Sequence, residues 1–437
     1  MDSIKKISTN FFFILIILLS LFGRSLTGIY VFGYRLGEII IAVAFLLSLT
    51  LLVSKPNLIY NKKLNFLVIH KIIFSSFLLI VLTNLPIKFS PYLVKSSSYI
   101  WITIFLYIGF HYFSNINYEH IFVTIFPTLI IIIYILQTTY YPESLSNFFT
   151  NYSDKFEYLK AGDILLVFVI STLMIQKRYF NNFNFFAIFL VLTALFIPYF
   201  LYASKGAFLS LLIYCILQFK SVSKYLFKFR MNTFFVIMFS IVIFSFSTFH
   251  IYGNFVFEKS SQDDSQVFIP SEIIEGIVAI AEERNTSQTF ASLYVENSRI
   301  YSIDATANWR LQIWQDVIWD IFSTPKKLLF GYGYSEIIPA MDDKERRGSD
   351  GTNENVHNYF VNILARGGML QVFLFASFHI LIVKQFKEKF GNLSILKFVI
   401  PVFVVSFFDT SMESVRFPLL YYSFLGYFLN EDSIYLQ

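Results

Sequence analysis

Charge is what this chain of 437 residues has least of: Asp, Glu, Lys and Arg together make up 14%, against about 25% in soluble globular proteins. A water-soluble enzyme is therefore not expected. There is one cysteine, Cys215, and it sits inside an apolar block, which excludes an intramolecular disulfide and a cysteine-based metal site. The histidines His70, His111, His120, His250 and His379 are scattered, with none spaced as a metal site. The net charge of +5 is spread over many short segments. No basic patch is interleaved with aromatics, which argues against nucleic acid as a partner. Nor does a small-x-small cleavage site follow the first apolar block at 20–30, so that block, preceded by Lys5 and Lys6, reads as a retained signal anchor.

What the chain does have is apolar residues in long blocks. Hydrophobic residues make up 56% and aromatics 20%, and mean hydropathy is +0.61. Blocks such as 11–22, 121–136 and 234–246, with their flanks, are long enough to cross a hydrocarbon core of about 30 Å. The fold class expected is an all-α, polytopic membrane protein. About twelve spans fall near 10–26, 31–53, 64–83, 96–113, 119–138, 162–176, 184–203, 205–219, 232–250, 358–383, 394–410 and 416–429. Lys55, Lys62, Lys63, Lys177, Arg178, Lys220, Lys224, Lys228, Arg230, Lys384, Lys387 and Lys389 then fall on the side of the N-terminus, the positive-inside pattern. Lys88, Lys95, Lys155 and Lys160 fall on the other. Both termini are expected in the cytoplasm, with membrane lipids as surroundings, and three regions follow: a helical bundle over 1–250, an extracytoplasmic loop over 251–356 and C-terminal spans over 357–437.

The loop is acidic, with nine Lys and Arg against seventeen Asp and Glu. Pro270 and Ser271 open a segment, 272–283, with Ile273, Ile277 and Ile280 on one helical face, suited to lying flat on the membrane. A second helix is expected from Asn308 as N-cap to Phe322, stopped by Ser323-Thr324-Pro325. Its face of Arg310, Ile313, Trp314 and Val317 suits the lipid headgroup level, where tryptophan is favoured. Gly331-Tyr332-Gly333 reads as a turn and 342–355 as a mobile loop.

Three residues of the expected outer side carry chemistry: Lys205 in Ser204-Lys205-Gly206, Arg310, and His357 in Val356-His357-Asn358. An imidazole titrates near neutrality and can act as a base, while fixed cations stabilise charge developing on a phosphate leaving group. Such a set suits transfer from a diphosphate-activated donor. The bland readings are a helix-end hydrogen bond for His357, pairing of Arg310 with Asp316, Asp320 or a headgroup, and a snorkelling lysine at 205. Arg299, Arg346 and Arg347 read as solvated, and Arg35 and Glu38 as satisfying each other. Charges at span edges, namely Lys71, Asp163, Asp409, Glu413 and Arg416, call for pairing or a polar interior.

From 203 to 384 the chain resembles the O-antigen ligase/polymerase superfamily of bacterial membrane glycan transferases. The resemblance rests on Ser204-Lys205-Gly206 at a helix start, Arg310 to Trp314 followed by the turn Gly331 to Gly333, and His357-Asn358 eleven residues ahead of Gly368. The family generally has arginine where this chain has Lys205, an acidic residue at Arg366 and a glycine at Gln371. Lysine keeps the charge but loses the bidentate fork, and Arg366 becomes a candidate replacement cation.

The resemblance implies an inverting glycosyl transfer in the bacterial inner membrane. The donor is a glycan on undecaprenyl diphosphate and the acceptor a sugar hydroxyl, on another glycan or on lipid A core, with other polysaccharide assembly proteins as possible partners. It also implies His357 as base and Arg310, secondarily Lys205, as diphosphate ligands, with no nucleotide sugar, metal or other cofactor; Arg366, a departure from the family pattern, is added to the candidate diphosphate-binding cations. Polymerase is preferred over ligase on the abundance of divergent polymerases. A polysaccharide transporter predicts polar residues through the whole bilayer depth and internal repeats; no repeat is visible here. A ligand sensor needs no histidine.

Overall fold

The computed structural model describes residues 2–54, 66–83, 91–112, 116–154, 156–179, 182–226, 231–253, 293–302, 305–347, 354–409 and 411–430. The surface helix expected over 272–283 lies outside them, as do Lys55, Lys62, Lys63, Lys88, Lys155, Lys228, Arg230 and part of the loop expected over 342–355. The described chain is helical apart from two short antiparallel hairpins, Tyr30–Val31 with Tyr34–Arg35 and Leu293–Glu296 with Arg299–Ser302.

Among the described residues, five helices are long and apolar enough to cross a membrane: Asn10–Thr27, Phe183–Ala203, Lys205–Leu226, Met231–Tyr252 and Tyr359–Phe390. A sixth arises if Thr124–Thr138 and Glu143–Tyr152, bent by 85°, form one broken span. Leu36–Leu47, Val68–Thr83, Ser98–His111 and Leu396–Phe408 are apolar but shorter. The molecule is an integral membrane protein. The two neighbouring spans expected around 204 are separate helices: Ser204 is extended (φ −166, ψ 122), and its Oγ accepts from the amide of Ala207 at 3.3 Å, as an N-cap serine does.

By contacts the chain divides into two compact units, Met1–Leu67 with Ser98–Ile251 and Phe378–Gln437, and Val68–Ser97 with Tyr252–Ser377. In the first, helix Arg416–Asn430 packs on Phe105–Tyr112 through two glycines. A side chain on Gly109 would strike the carbonyl of Ser423, and one on Gly426 the carbonyl of Leu106. Small residues let helix backbones approach where apolar burial alone does not drive association.

Paired arginines and carboxylates of this unit gather at one end. Arg416 pairs with Asp163 at 2.8 Å, each side chain 7% exposed; Arg24 pairs with Glu157 at 3.2 Å. The expected Arg35–Glu38 pair does not form. Arg35 lies in the hairpin strand, not on the helix, and its guanidinium meets Asp154 at 2.9 Å. Glu38 instead accepts from the backbone amide of Arg35 at 3.2 Å, the reach of a capping-box glutamate.

The second unit has its core around one helix, Ala305–Ile321. Ile313, Val317 and Ile321 are sealed against Ile338, Met341, Val356, Val361 and Ala365. The helix starts before Asn308, whose side chain accepts from Ser302 N and Gln312 instead of capping. The face expected at the lipid headgroups is thus covered by protein.

Candidate active site in the second unit

Helix Ala305–Ile321 ends where the sequence stops it. Thr324 caps the next helix, Pro325–Phe330, its side chain accepting from Lys327 N, with Pro325 in the first turn, where its fixed φ and missing N–H cost nothing. Gly331 and Gly333 follow, at φ +67 and +81.

This turn docks on a break in helix Tyr359–Phe390. Gly368 has φ +61 and ψ −166, which takes the following amides out of reach of the carbonyls one turn back. Those carbonyls find partners in the turn: Tyr332 N donates to Ala365 O at 2.7 Å and Gly333 N to Arg366 O at 3.1 Å. The approach is close enough that a Cβ on Gly331 would lie 2.5 Å from Ala365 O, and one on Gly368 would overlap the backbone of Leu329. Only glycine fits, by φ and by space. The Gly-x-Gly and the later Gly368 are two halves of one joint.

Arg366 stands in that joint, buried. Its guanidinium donates to the carbonyls of Glu336 and Gly333 and to Tyr92 Oη, and lies over the Tyr92 ring at 5.3 Å. These contacts give Arg366 a structural task, holding the 333–336 backbone. Gln371 is also buried and donates to Ser76 Oγ at 2.6 Å.

His357 precedes the same helix. It has φ +52, a left-handed conformation that costs a non-glycine residue about 1–3 kcal/mol and concentrates at functional sites. Asn358, fully buried, caps the helix: its Oδ1 accepts from Phe360 N at 3.0 Å and Val361 N at 3.1 Å, while its buried Nδ2 has no partner. Trp314 Nε1 donates to Val356 O at 2.6 Å, and the Trp309 ring meets the His357 ring edge-on, centroids 5.1 Å apart. Arg310 is the next residue after Trp309. The structure thus brings the helix that carries Arg310 against the segment that carries His357. Lys205 is exposed at the head of its helix in the first unit, where Gly206 packs on Phe408.

The carboxylates that a bland reading offers Arg310 are engaged elsewhere. Asp316 pairs with Arg299 at 2.6 Å and Arg346 at 2.8 Å. Asp320 accepts from Lys327 at 2.8 and 3.0 Å and from Tyr332 Oη at 2.7 Å. Arg347 pairs with Asp342 at 2.9 Å and donates to Met341 O. Arg299, Arg346 and Arg347, expected as solvated, therefore cross-link the loop. The hydrogen bond from Lys327 holds the Asp320 carboxyl below its ordinary range, and burial followed by the Asp320 bond pushes the Tyr332 hydroxyl up.

Sequence reasoning passed over Tyr92 and Lys95, which reach this site from far along the chain. Lys95 pairs with Glu354 at 2.7 Å, and Ser96 Oγ donates to Tyr334 O at 2.7 Å. No local signal marks them. Among the described residues, no three His, Cys, Asp or Glu side chains group so as to hold a metal ion.

The joint, the Arg310 helix and His357 all fall within residues 188–376, which match the model of a family described as O-Antigen ligase. That match supports the O-antigen ligase/polymerase superfamily for this chain. Searched against curated proteins, the chain matches none. A glycan-transferring role in O-antigen assembly, with a lipid-linked glycan and an acceptor as substrates, goes with that family. Some of the motifs quoted from the sequence thereby acquire a physical account: Gly331, Gly333 and Gly368 form a backbone joint, and Asn358, next to His357, is a helix cap.

Proposed function

We propose that the protein is an inverting glycan transferase whose donor is a saccharide on undecaprenyl diphosphate, and that it acts as an O-antigen or capsular polysaccharide polymerase. The observation that supports this reading is the contact of Trp309 with a strained His357, which packs the imidazole against the helix that carries Arg310. In the reaction, His357 takes the proton of the acceptor hydroxyl and the acceptor oxygen bonds to the anomeric carbon. The bond from that carbon to the diphosphate oxygen breaks, and the negative charge left on undecaprenyl diphosphate is held by Arg310. No metal takes part. Arg366 serves by keeping the joint closed and by its charge, not as a direct ligand. The reading places the site on the extracytoplasmic side of the inner membrane with both termini in the cytoplasm, and counts the shorter apolar helices toward about twelve spans.

Transfer of a finished chain to lipid A core is the second reading, favoured by the description of the matched family. Both are tested in a strain lacking the protein, complemented with the wild type or with His357→Ala, followed by gel analysis of surface glycans. Single-repeat products in the deficient strain indicate a polymerase, and long undecaprenyl-linked chains absent from lipid A indicate a ligase. His357→Ala is expected to lower product formation by about 10²–10⁴-fold with the protein still in the membrane. Normal surface glycan with His357→Ala would overturn the transferase and leave transport or sensing.

A further inference from the structure

At the end of the first unit away from the Arg416–Asp163 pair, lysines gather. Helix Lys205–Leu226 begins where Gly206 lies on Phe408. Near its other end, about 24 Å from Lys205 at 1.5 Å per residue, stands Ser221. Helix Leu396–Phe408 runs the opposite way and brings its first turn there, so that Lys397 Nζ donates to Ser221 Oγ at 2.9 Å. Gln176 Nε2 donates to the same oxygen at 3.3 Å. With two donors already received, the Ser221 hydroxyl has its own proton to give. Lys220, exposed, is close enough for its charge to oppose that of Lys397. Lys384, at the same end, lies 3.9 Å from Glu388.

Behind Ser221 the geometry is fixed by a sealed polar chain. Gln218, fully buried, donates to Gln176 Oε1 and to Tyr214 Oη, both at 2.9 Å, and Tyr214 Oη meets Thr172 Oγ1 at 2.6 Å. A helix-dipole role does not account for Lys397, because it sits in the first turn of its helix, where a cation is disfavoured. Two mutually repelling ammonium groups and a hydroxyl proton, set on a rigid base, present donors and positive charge to one place.

We propose that Lys397, Lys220 and Ser221 form a binding site for the phosphate of an anionic membrane lipid. The distance along helix Lys205–Leu226 nears the thickness of a hydrocarbon core, about 30 Å, which sets the site at headgroup depth, where lysines draw anionic lipids. The site shares no residue with the transfer reaction, and it stands whether or not that reaction is a glycosyl transfer.

The test uses the full-length protein in nanodiscs of mixed phosphatidylglycerol and phosphatidylcholine, with retained lipid measured by native mass spectrometry. The wild type is expected to retain phosphatidylglycerol preferentially, and Lys220→Gln, an exposed change that spares the fold, to lose roughly fivefold of that preference. Lys397→Gln is expected to lose at least as much and Lys397→Arg to keep most of it. The paired control Lys384→Gln with Lys387→Gln should leave the preference unchanged. An equal loss in that control would mean a diffuse basic surface and overturn the site. Unchanged preference in both Lys220→Gln and Lys397→Gln would do the same. Lysine-dependent thermal stabilisation by inorganic phosphate in detergent, matching that by phosphatidylglycerol, would make free phosphate the occupant and overturn the lipid.

Discussion

Among the described residues two arginines are nearly sealed from water, one in each unit, and their surroundings answer the same charge in opposite ways. Arg416 meets the carboxylate of Asp163 at 2.8 Å, so the pair is neutral and ties the start of helix Ala161–Arg178 to the start of Arg416–Asn430. Arg366 meets carbonyls and a tyrosine, and among the described residues no carboxylate lies within ion-pair reach of it. Its charge is solvated by dipoles but not cancelled. The first arrangement serves architecture. The second leaves net positive charge inside the second unit, about 12 Å along the helix from Asn358 by its 1.5 Å rise. At an effective dielectric of about 20, that distance is worth on the order of 1 kcal/mol for each negative charge arriving at the helix head. A buried, uncancelled cation therefore favours an anionic substrate even without touching it.

The contrast is sharpest in activity, so the largest effect is expected from Arg310→Ala. If Arg310 holds the leaving diphosphate, product falls by about 10²–10³-fold while membrane levels of the protein hold, and Arg310→Lys recovers part of the loss because it keeps the charge without the fork. An unchanged chain-length distribution in the surface polysaccharide would remove Arg310 from the site. Arg416→Leu should behave in the reverse manner. It strands the Asp163 carboxylate, whose Oδ1 already has no partner, at a cost of about 3–5 kcal/mol. The readout is loss of folded protein with normal turnover per molecule that remains. Replacing both Arg416 and Asp163 by leucine should restore most of that stability; if it does not, the pair has a role beyond architecture and the contrast fails.

A pair of glycines sharpens the comparison on the backbone. Gly368 in the second unit and Gly391 in the first both have positive φ, +61 and +73. A Cβ on Gly391 meets nothing within 4 Å, whereas one on Gly368 runs into Leu329 and Phe330. Gly391→Ala should then cost about 1 kcal/mol, the left-handed penalty alone, and Gly368→Ala about 3 kcal/mol or more, because the joint must open as well. Thermal melts of the purified protein check the difference, and equal shifts would mean that the joint does not need the close approach.

What the sequence makes legible here is what local chemistry decides. Ser204 between two apolar runs, Thr324-Pro325 after a helix and the Gly331/Gly333 turn each act within a few residues of themselves, and each is found where expected. Partners separated along the chain are not legible. Arg35 lies three residues from Glu38, but once the hairpin removes it from the helix the carboxylate it meets is Asp154. Lys95 and Glu354 are 259 residues apart, and Tyr92 and Arg366 274. Amphipathic spacing picked out the Ile313 and Val317 face as apolar, but periodicity says only that a face is covered, not by what. Headgroups and the side chains of Ile338, Met341, Val356, Val361 and Ala365 are equally good covers until the Gly331/Gly368 joint brings the latter in. The candidate site was legible as residues and not as geometry: the joint, the cap and the His357–Trp309 contact each need two segments.

The smallest expected effect concerns the clamp of Lys327, Asp320 and Tyr332, which closes the end of the Arg310 helix on the turn. The hydrogen bond from Lys327, with that from Tyr332, holds the Asp320 carboxyl below its ordinary range. A group with a depressed folded pKa contributes stability above its unfolded value, about 3.9, and loses it as pH falls through the lower folded value. The clamp should therefore be insensitive to pH from neutrality down to about 4 and weaken below, by an amount kept small because the carboxylate is 41% exposed and its attraction is screened. Asp320→Asn should remove that acid sensitivity while leaving the Arg416–Asp163 end of the first unit as it was, a difference measurable as melting temperature against pH for the two proteins. A variant that melts in parallel with the wild type down to pH 3 would show that the clamp adds nothing to the joint.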